Sequence, residues 1–297
     1  MSRAVSPSAK RPYGLARVCR VWCVARSSVY YKRLTREAVP TRKRGPQGPC
    51  SDTELADHIR ATLKESPWVG EGYRKVWAKL RNRGIRVSPR RVLRVMREKA
   101  LQTPVGQRHR HGPKAHDRSI VPGAPNVLWG SDATATLTTE GMATIFLVID
   151  HATAECLGIH AARRGTRWEA IATLQQAVRE RFGRYEKDLF EGVGLKLRHD
   201  HGSQFVSHAF QDELVLVGIE SSPAFVREPE GNGCAERFIR TLKEQLLWLR
   251  RFQTIEGLRQ ALLEFKERYN REWMIQRHGW RSPSEHRKRL LAEQEAA

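Results

Sequence analysis

Three acidic residues, Asp132, Asp200 and Glu236, have the side-chain type and the placement to share divalent cations. Asp132 falls inside an alternating apolar run, Asp200 just after a short one, and Glu236 on a helical run that follows the segment 228–233. Each has a plain alternative: Asp132 facing water on an edge strand, Asp200 capping the turn before Gly202, Glu236 as an ordinary helix-surface acid. Convergence of the three would change that reading. Phosphodiester chemistry of this kind uses two Mg²⁺ ions about 3.5–4 Å apart that clamp the attacking and leaving oxygens, and carboxylates from separate elements supply hard oxygen ligands while leaving positions open for phosphate. Around Glu236, helical periodicity assigns Ala235, Phe238, Ile239, Leu242, Leu246 and Leu249 to a buried arc. Asn232, Glu236, Arg240 and Lys243 share another arc, where the acid would hold metal and the cations the scissile strand.

The elements that must position these residues read as an α/β unit. Residues 127–137 alternate, with Trp129, Ser131, Ala133 and Ala135 on one side and Asp132, Thr134 and Thr136 on the other. Residues 144–149 form a continuous β-branched and apolar run, as a strand covered on both faces requires, and 156–160 suit a third strand. Thr166 is placed to cap a helix whose Trp168, Ile171, Leu174, Val178 and Phe182 form one face. A strand at 195–198 delivers Asp200, and 207–217 read as a further helix. Three strands, a helix, a strand and then helices is the order of a ribonuclease-H-like fold.

Upstream, charge dominates. The chain of 297 residues carries a formal net charge of +21, and all of it lies in residues 1–121, which hold 29 Lys and Arg against 8 Asp and Glu. Residues 122–297 hold 24 of each, so a phosphate-gripping half precedes a balanced one. Residues 1–34 read as a helix-turn-helix-like pair: Leu15, Val18 and Trp22 recur at helical spacing, Ser27 offers a cap for a second helix with Val29 and Tyr30, and the turn near Cys23 is a position that glycine would suit better. Residues 35–50 form a basic Pro/Gly linker. Residues 51–102 form a helical DNA-binding domain: Ser51 or Asp52 caps one helix, and Tyr73, Val76, Trp77 and Leu80 stripe the next until Gly84. Ser88 and Pro89 open the third, with Val92, Leu93, Val95 and Met96 inside and Arg90, Arg91, Arg94 and Arg97 outside, a face open to two readings, contact with DNA or the solvated side of a small helical bundle. Residues 103–125 are a second basic linker, and its His109, His111 and His116 lack the accompanying ligands of a metal site. A core at 126–273 and a tail at 274–297 complete the domain reading.

No apolar run is long enough for a membrane span and no secretory leader is legible, so the expected location is cytoplasmic, nucleoid-associated when on DNA. Five scattered cysteines argue against a disulfide framework or zinc site.

Three motifs now carry a resemblance. Trp129-Gly-Ser-Asp132, Asp200-His-Gly-Ser-Gln-Phe205 and Gly231-Asn-Gly-Cys-Ala-Glu236-Arg-Phe, with 35 residues between Asp200 and Glu236, resemble the retroviral-integrase-type core of bacterial insertion-sequence transposases. Residues 72–75 and 92–97, including Arg74 and Lys75, resemble the helical domain that precedes this core in the two-reading-frame group, and the segment 277–285 resembles its C-terminal signature. Lys243 stands where that helix carries a basic residue. The resemblance covers roughly residues 10–290. It implies divalent-metal-dependent 3′-end cleavage and strand transfer, with Asp132, Asp200 and Glu236 as catalytic metal ligands for Mg²⁺ or Mn²⁺. It also implies Lys243 holding DNA near the cut and Asn232 supporting Glu236 or the DNA. The implied partners are double-stranded DNA at element ends and target, further copies of the chain on that DNA, and an upstream-frame protein. Without a sustained heptad region the chain resembles the downstream-frame product. Two other readings remain open here: a catalytically silent DNA-binding regulator derived from such an enzyme, and a ribonuclease-H-type nuclease without strand joining.

Overall fold

In the computed structural model, residues 3–33, 48–103, 122–224 and 232–296 are described. The chain divides into two compact units, Met1–Gly48 and Pro49–Ala297. The expected linkers fall largely outside the described residues, and so do His109, His111 and His116.

The first unit holds α1 (Gly14–Val21) and α2 (Arg26–Arg33). Cys23, at the turn, has a φ of +50°, the left-handed backbone that glycine adopts more readily. Two expectations are corrected. Ser27 lies inside α2 rather than capping it, and Trp22 stands past the end of α1, exposed to solvent.

The second unit begins with three helices, α3 (Asp52–Glu65), α4 (Tyr73–Asn82) and α5 (Pro89–Glu98). Ser51 and Glu54 form a reciprocal capping box on α3, so Ser51 rather than Asp52 is the cap. Ser88 caps α5 with proline at its first position, as the sequence requires. Leu55, Ile59, Val76, Leu80, Val92, Val95 and Met96 close a small core between them.

A five-stranded sheet follows, ordered β3-β2-β1-β4-β5, from β1 (Leu128–Thr138), β2 (Gly141–Asp150), β3 (Cys156–Ala162), β4 (Lys196–His199) and β5 (Glu220–Pro223). The first three strands are antiparallel and β4 and β5 join in parallel, which is the ribonuclease-H-like arrangement. β5 was not legible: Glu-Ser-Ser-Pro has no apolar alternation, and it pairs only because β4 offers a free edge. Along β2, Ile145, Leu147 and Ile149 enter one core while Phe146 and Val148 enter the other, which is why the run is apolar without a break. The Phe146 side packs against α6 (Arg167–Phe182), α7 (Ser203–Val206) and α8 (His208–Val217). The Leu147 side packs against α9 (Gly233–Leu242) and α10 (Ile255–Glu272). The expected stripe on α6 is shifted: Ala170, Ile171, Leu174, Ala177 and Val178 are buried, whereas Trp168 is 61% exposed. The tail expected from 274 onward contains α11 (Pro283–Glu295), opened by a Ser282–Glu285 capping box.

The helical domain is fastened to the sheet-bearing core by the loop between α3 and α4. Trp68 is buried in the core cluster beneath α10, edge-on to Phe265 at 5.8 Å and to Trp273 at 4.9 Å. Beside it the Gln245 side chain accepts from the Val69 N–H at 2.8 Å and donates to the Val69 carbonyl at 2.9 Å, in the manner of a strand partner. Gln245 is therefore an interdomain clamp. Trp68→Ala removes a fully enclosed indole and is expected to lower stability by about 3–5 kcal/mol in urea unfolding. The control Trp248→Ala, at a side chain 70% exposed, should change it by less than ~0.5 kcal/mol.

Candidate active site

β1 and β4 set the first two carboxylates side by side. Their parallel register pairs Leu128 with Lys196, Trp129 with Leu197 and Gly130 with Arg198. Asp132 stands two residues past the last registered pair on β1, and Asp200 follows directly on the end of β4. The third comes from α9, which packs on β1: buried Asn232, at its N-terminus, donates from Nδ2 to the Ser131 carbonyl at 3.0 Å. Glu236 is one turn further on and exposed.

Electrostatics reports the convergence. Burial pushes the Asp132 carboxyl up to about 6, its own contact with the Ala133 N–H at 2.7 Å opposes this, and the charges of Asp200 and Glu236 push it further up while Lys243 draws it down. Glu236 is raised as well, by desolvation. Asp132 thus lies within electrostatic reach of Asp200 and Glu236, with Lys243 as the opposing cation. Among the described residues no three His, Cys, Asp or Glu side chains are drawn together closely enough to hold a metal ion. Hard oxygen donors of this kind suit Mg²⁺ or Mn²⁺.

The supports of the site lie in residues that sequence patterning passed over. Asp200 Oδ1 accepts the Gly202 N–H at 2.9 Å, which fixes the turn after β4. Buried His199 donates from Nδ1 to the Asp200 carbonyl at 2.7 Å, leaving Nε2 to accept from the Ser221 hydroxyl at 3.0 Å; burial lowers its pKa. Gly130 has no room for a side chain: a Cβ there would lie 2.6 Å from both Asn232 Oδ1 and His151 Nε2. The Gly-Ser-Asp spelling was the available signal, since a glycine inside a strand marks a close approach.

The other expected site residues are scattered. Arg240 pairs with Glu244 at 2.8 Å and is exposed, Lys243 is half-buried, and Leu249 is exposed rather than part of the buried arc. Between Lys243 and Leu247 the helix widens into a π-helical turn, which advances Leu246 and Leu247 into the core and leaves Leu249 outside. On α5, Arg90 and Arg97 face solvent. Arg91 is turned onto Asp52 and the Cys50 carbonyl, and Arg94 onto Asp52 and Glu98, so both are part of the helical fold. Those guanidiniums hold the Asp52 carboxyl below its usual range. Arg74 is exposed and reaches Gln276 at 3.3 Å. Lys75 departs from expectation: its Nζ is buried over the Trp273 ring, 2.7 Å from the centroid, because α4 presents that side to the core, and desolvation lowers its pKa to about 7.

Residues 122–229 and 217–283 each match a model described as an integrase core domain, and residues 51–110 match an HTH-like domain. A transposase for insertion sequence element IS629 from Shigella sonnei is 24% identical over 292 residues, covering 95% of this chain and 94% of that protein. Transposase InsD for insertion element IS2D from Escherichia coli K12 is 28% identical over 244 residues, covering 79% of this chain and 78% of that one. A crystal structure of the catalytic core domain of BIV integrase is 20% identical with a TM-score of 0.41, covering 58% of this chain and 97% of that chain.

The raised Asp132 carboxyl has a stability consequence. Below about 3.8, its ordinary value, the group is protonated in folded and unfolded chains alike; as pH rises through about 6 the folded chain must accept a charge that it disfavours. Asp132→Asn is therefore expected to raise the Tm of the metal-free protein by roughly 2–6 °C at pH 7–8, with the difference vanishing near pH 4. Thermal unfolding in a chelating buffer across that range checks it; an unchanged or lower Tm at neutral pH would show that burial and the neighbouring acids do not disfavour the Asp132 charge.

Proposed function

We propose, for a chain that carries integrase core and HTH-like domains and whose curated homologues are insertion-sequence transposases, that it catalyses metal-dependent 3′-end cleavage and strand transfer of DNA. The observation that supports the reading is the placement of the three acids: Asp132 on β1, Asp200 at the end of the neighbouring β4, and Glu236 one turn into α9, whose Asn232 donates to the Ser131 carbonyl next to Asp132. The residues fit a pair of Mg²⁺ or Mn²⁺ ions, with Asp132 and Asp200 shared and Glu236 completing one side. When bound, such ions polarise the scissile phosphodiester and lower the pKa of the attacking hydroxyl.

The chain's own groups supply positioning. Asn232 holds the start of α9 to β1, so that Glu236 keeps its distance from Asp132. Half-buried Lys243 offers a cation beside the carboxylates, where it holds the phosphate of the strand to be cut. Double-stranded DNA is the substrate, as element end and as target. Cleavage exposes a 3′-hydroxyl that attacks a second phosphodiester, with no covalent link to the protein. Several copies of the chain act together on the DNA, and an upstream-frame protein is a further partner. Among the described residues no helix is long and apolar enough to cross a membrane, which accords with action on DNA. The intact acidic trio weighs against a silent regulator.

Asp132→Asn, Asp200→Asn and Glu236→Gln are each expected to reduce cleavage and joining by at least about 10³-fold, while duplex affinity in chelator stays within about two-fold. A labelled element end incubated with Mg²⁺ or Mn²⁺ reads nicked and joined products separately. Activity of any one variant equal to that of the unaltered chain would remove the proposed site. Cleavage of RNA in hybrids without joining would favour a ribonuclease-H-type nuclease.

A further inference from the structure

The C-terminal signature folds into a wall that faces the helical domain. Ile275 bridges to Arg281 around a tight turn in which Gly279 and Trp280 both have a φ of +67°. That turn pushes the Trp280 ring against Trp77 of α4, edge-on at 6.3 Å. The Arg81 guanidinium lies 5.8 Å from the Trp77 ring centroid. Between α4 and this turn runs a groove of about 390 Å³, with Arg81 and Asn82 on one wall and Trp280, Arg281 and Lys288 on the other.

The groove is net positive. Arg81, Arg281 and Lys288 are exposed, and none of them makes an ion pair among the described residues. Its one acid, Glu285, offsets one of the three charges and is held in the capping box of α11, where its carboxylate accepts the Ser282 N–H at 2.8 Å. Arg281 is steadied from behind by the His278 carbonyl at 3.3 Å, which leaves most of its donors facing outward. This contrasts with Arg91 and Arg94, whose charge is matched by Asp52 and Glu98.

We propose that this groove is a composite phosphate site for duplex DNA, in which Arg81 of the helical domain and Arg281 and Lys288 of the C-terminal segment grip the backbone of one duplex. The inference rests on the reading of the chain as a DNA transposase and adds a second DNA-contacting surface, distinct from the carboxylate site. Two guanidinium forks and an ammonium around a cleft match phosphate oxygens, and the Asn82 amide adds a neutral donor. A site of this kind reads no bases. Neither domain supplies it alone: the cations meet because Trp68 and Gln245 seat the helices on the core and Trp77 meets Trp280. The C-terminal signature thus has a role in holding DNA.

The test uses the full chain in chelator, so that binding is read without chemistry. Fluorescence anisotropy of a labelled duplex of about 30 base pairs, followed between about 50 and 200 mM salt, gives the slope of log affinity against log salt. Arg81→Gln, Arg281→Gln and Lys288→Gln should each reduce the slope by about 0.9, and the triple variant by about 2.7, with at least a ten-fold loss of affinity near 150 mM. Glutamine keeps the stems, and an unchanged Tm shows that the seam is intact. A folded triple variant with the slope and affinity of the unaltered chain overturns the proposal, as does a loss seen with an RNA hairpin but not with the DNA duplex. The groove stands if these losses appear in a chain that does not cleave, whereas cleavage accompanied by an unaltered slope rejects the groove alone.

Discussion

Like charges must be held close together for this site to exist, and the rest of the core is arranged around that requirement. Burial above all, and the charges of Asp200 and Glu236 besides, push the Asp132 carboxyl up. A rigid frame carries all three acids. The frame is a sheet packed on both faces: Trp129, Phe146 and Val148 lock β1 and β2 against α6 and α8, while Ile145, Leu147 and Ile149 lock them against α9 and α10. Burial on this scale, at about 25 cal/mol per Å² of apolar surface, easily exceeds the cost of one disfavoured carboxylate. Small residues then govern how closely the elements approach. Gly130 lets Asn232 and His151 pack directly on the β1 backbone, and Gly158 of β3, where a Cβ would lie 2.5 Å from the Thr173 carbonyl, does the same for α6.

The core is also braced by charge where apolar packing ends. Glu155, buried in the turn between β2 and β3, receives Arg181 of α6 at 2.6 Å and the Ser284 hydroxyl of α11 at 3.0 Å, with Arg287 at 3.6 Å. One carboxylate thereby joins the sheet, the helix behind it and the last helix of the chain. Arg277 adds a second tie, from its guanidinium to the His151 carbonyl at 3.0 Å. Breaking such a buried cluster at one member leaves the others unpaired, so it specifies a single arrangement of the C-terminal segment.

Positive charge is apportioned by position. The residues up to 121 carry the whole net excess, yet the structure withdraws part of it from solvent: Arg91 and Arg94 are matched by Asp52, and Lys75 is turned onto Trp273. What stays available is set by docking. With Trp68 as plug and Gln245 as clamp, the helical domain and the carboxylate-bearing core share one seam, and exposed cations from both line it. The π-helical turn that holds Gln245 begins at Lys243, so one local irregularity serves both the clamp and the cation beside the active-site carboxylates.

The sequence by itself determined whatever depends on local chemistry and period. Capping at Ser88, the two-sided burial of residues 144–149, the strained turn at Cys23 and the strand setting of Asp132 are each fixed by neighbours a few residues away. The spacing of the three acids could nominate a site through resemblance, because motif residues keep their order along the chain. Tertiary structure decided what depends on contacts between distant segments. β5 exists only as a partner for β4, Trp168 was assigned to a buried face that α6 does not present, and Lys75 was placed on DNA although it faces the core. Gln245 finds Val69 across 176 residues, and Arg81 meets Arg281 only on the assembled seam. Periodicity tells a helix which face is apolar; it carries no information about what that face, or the polar one, will meet.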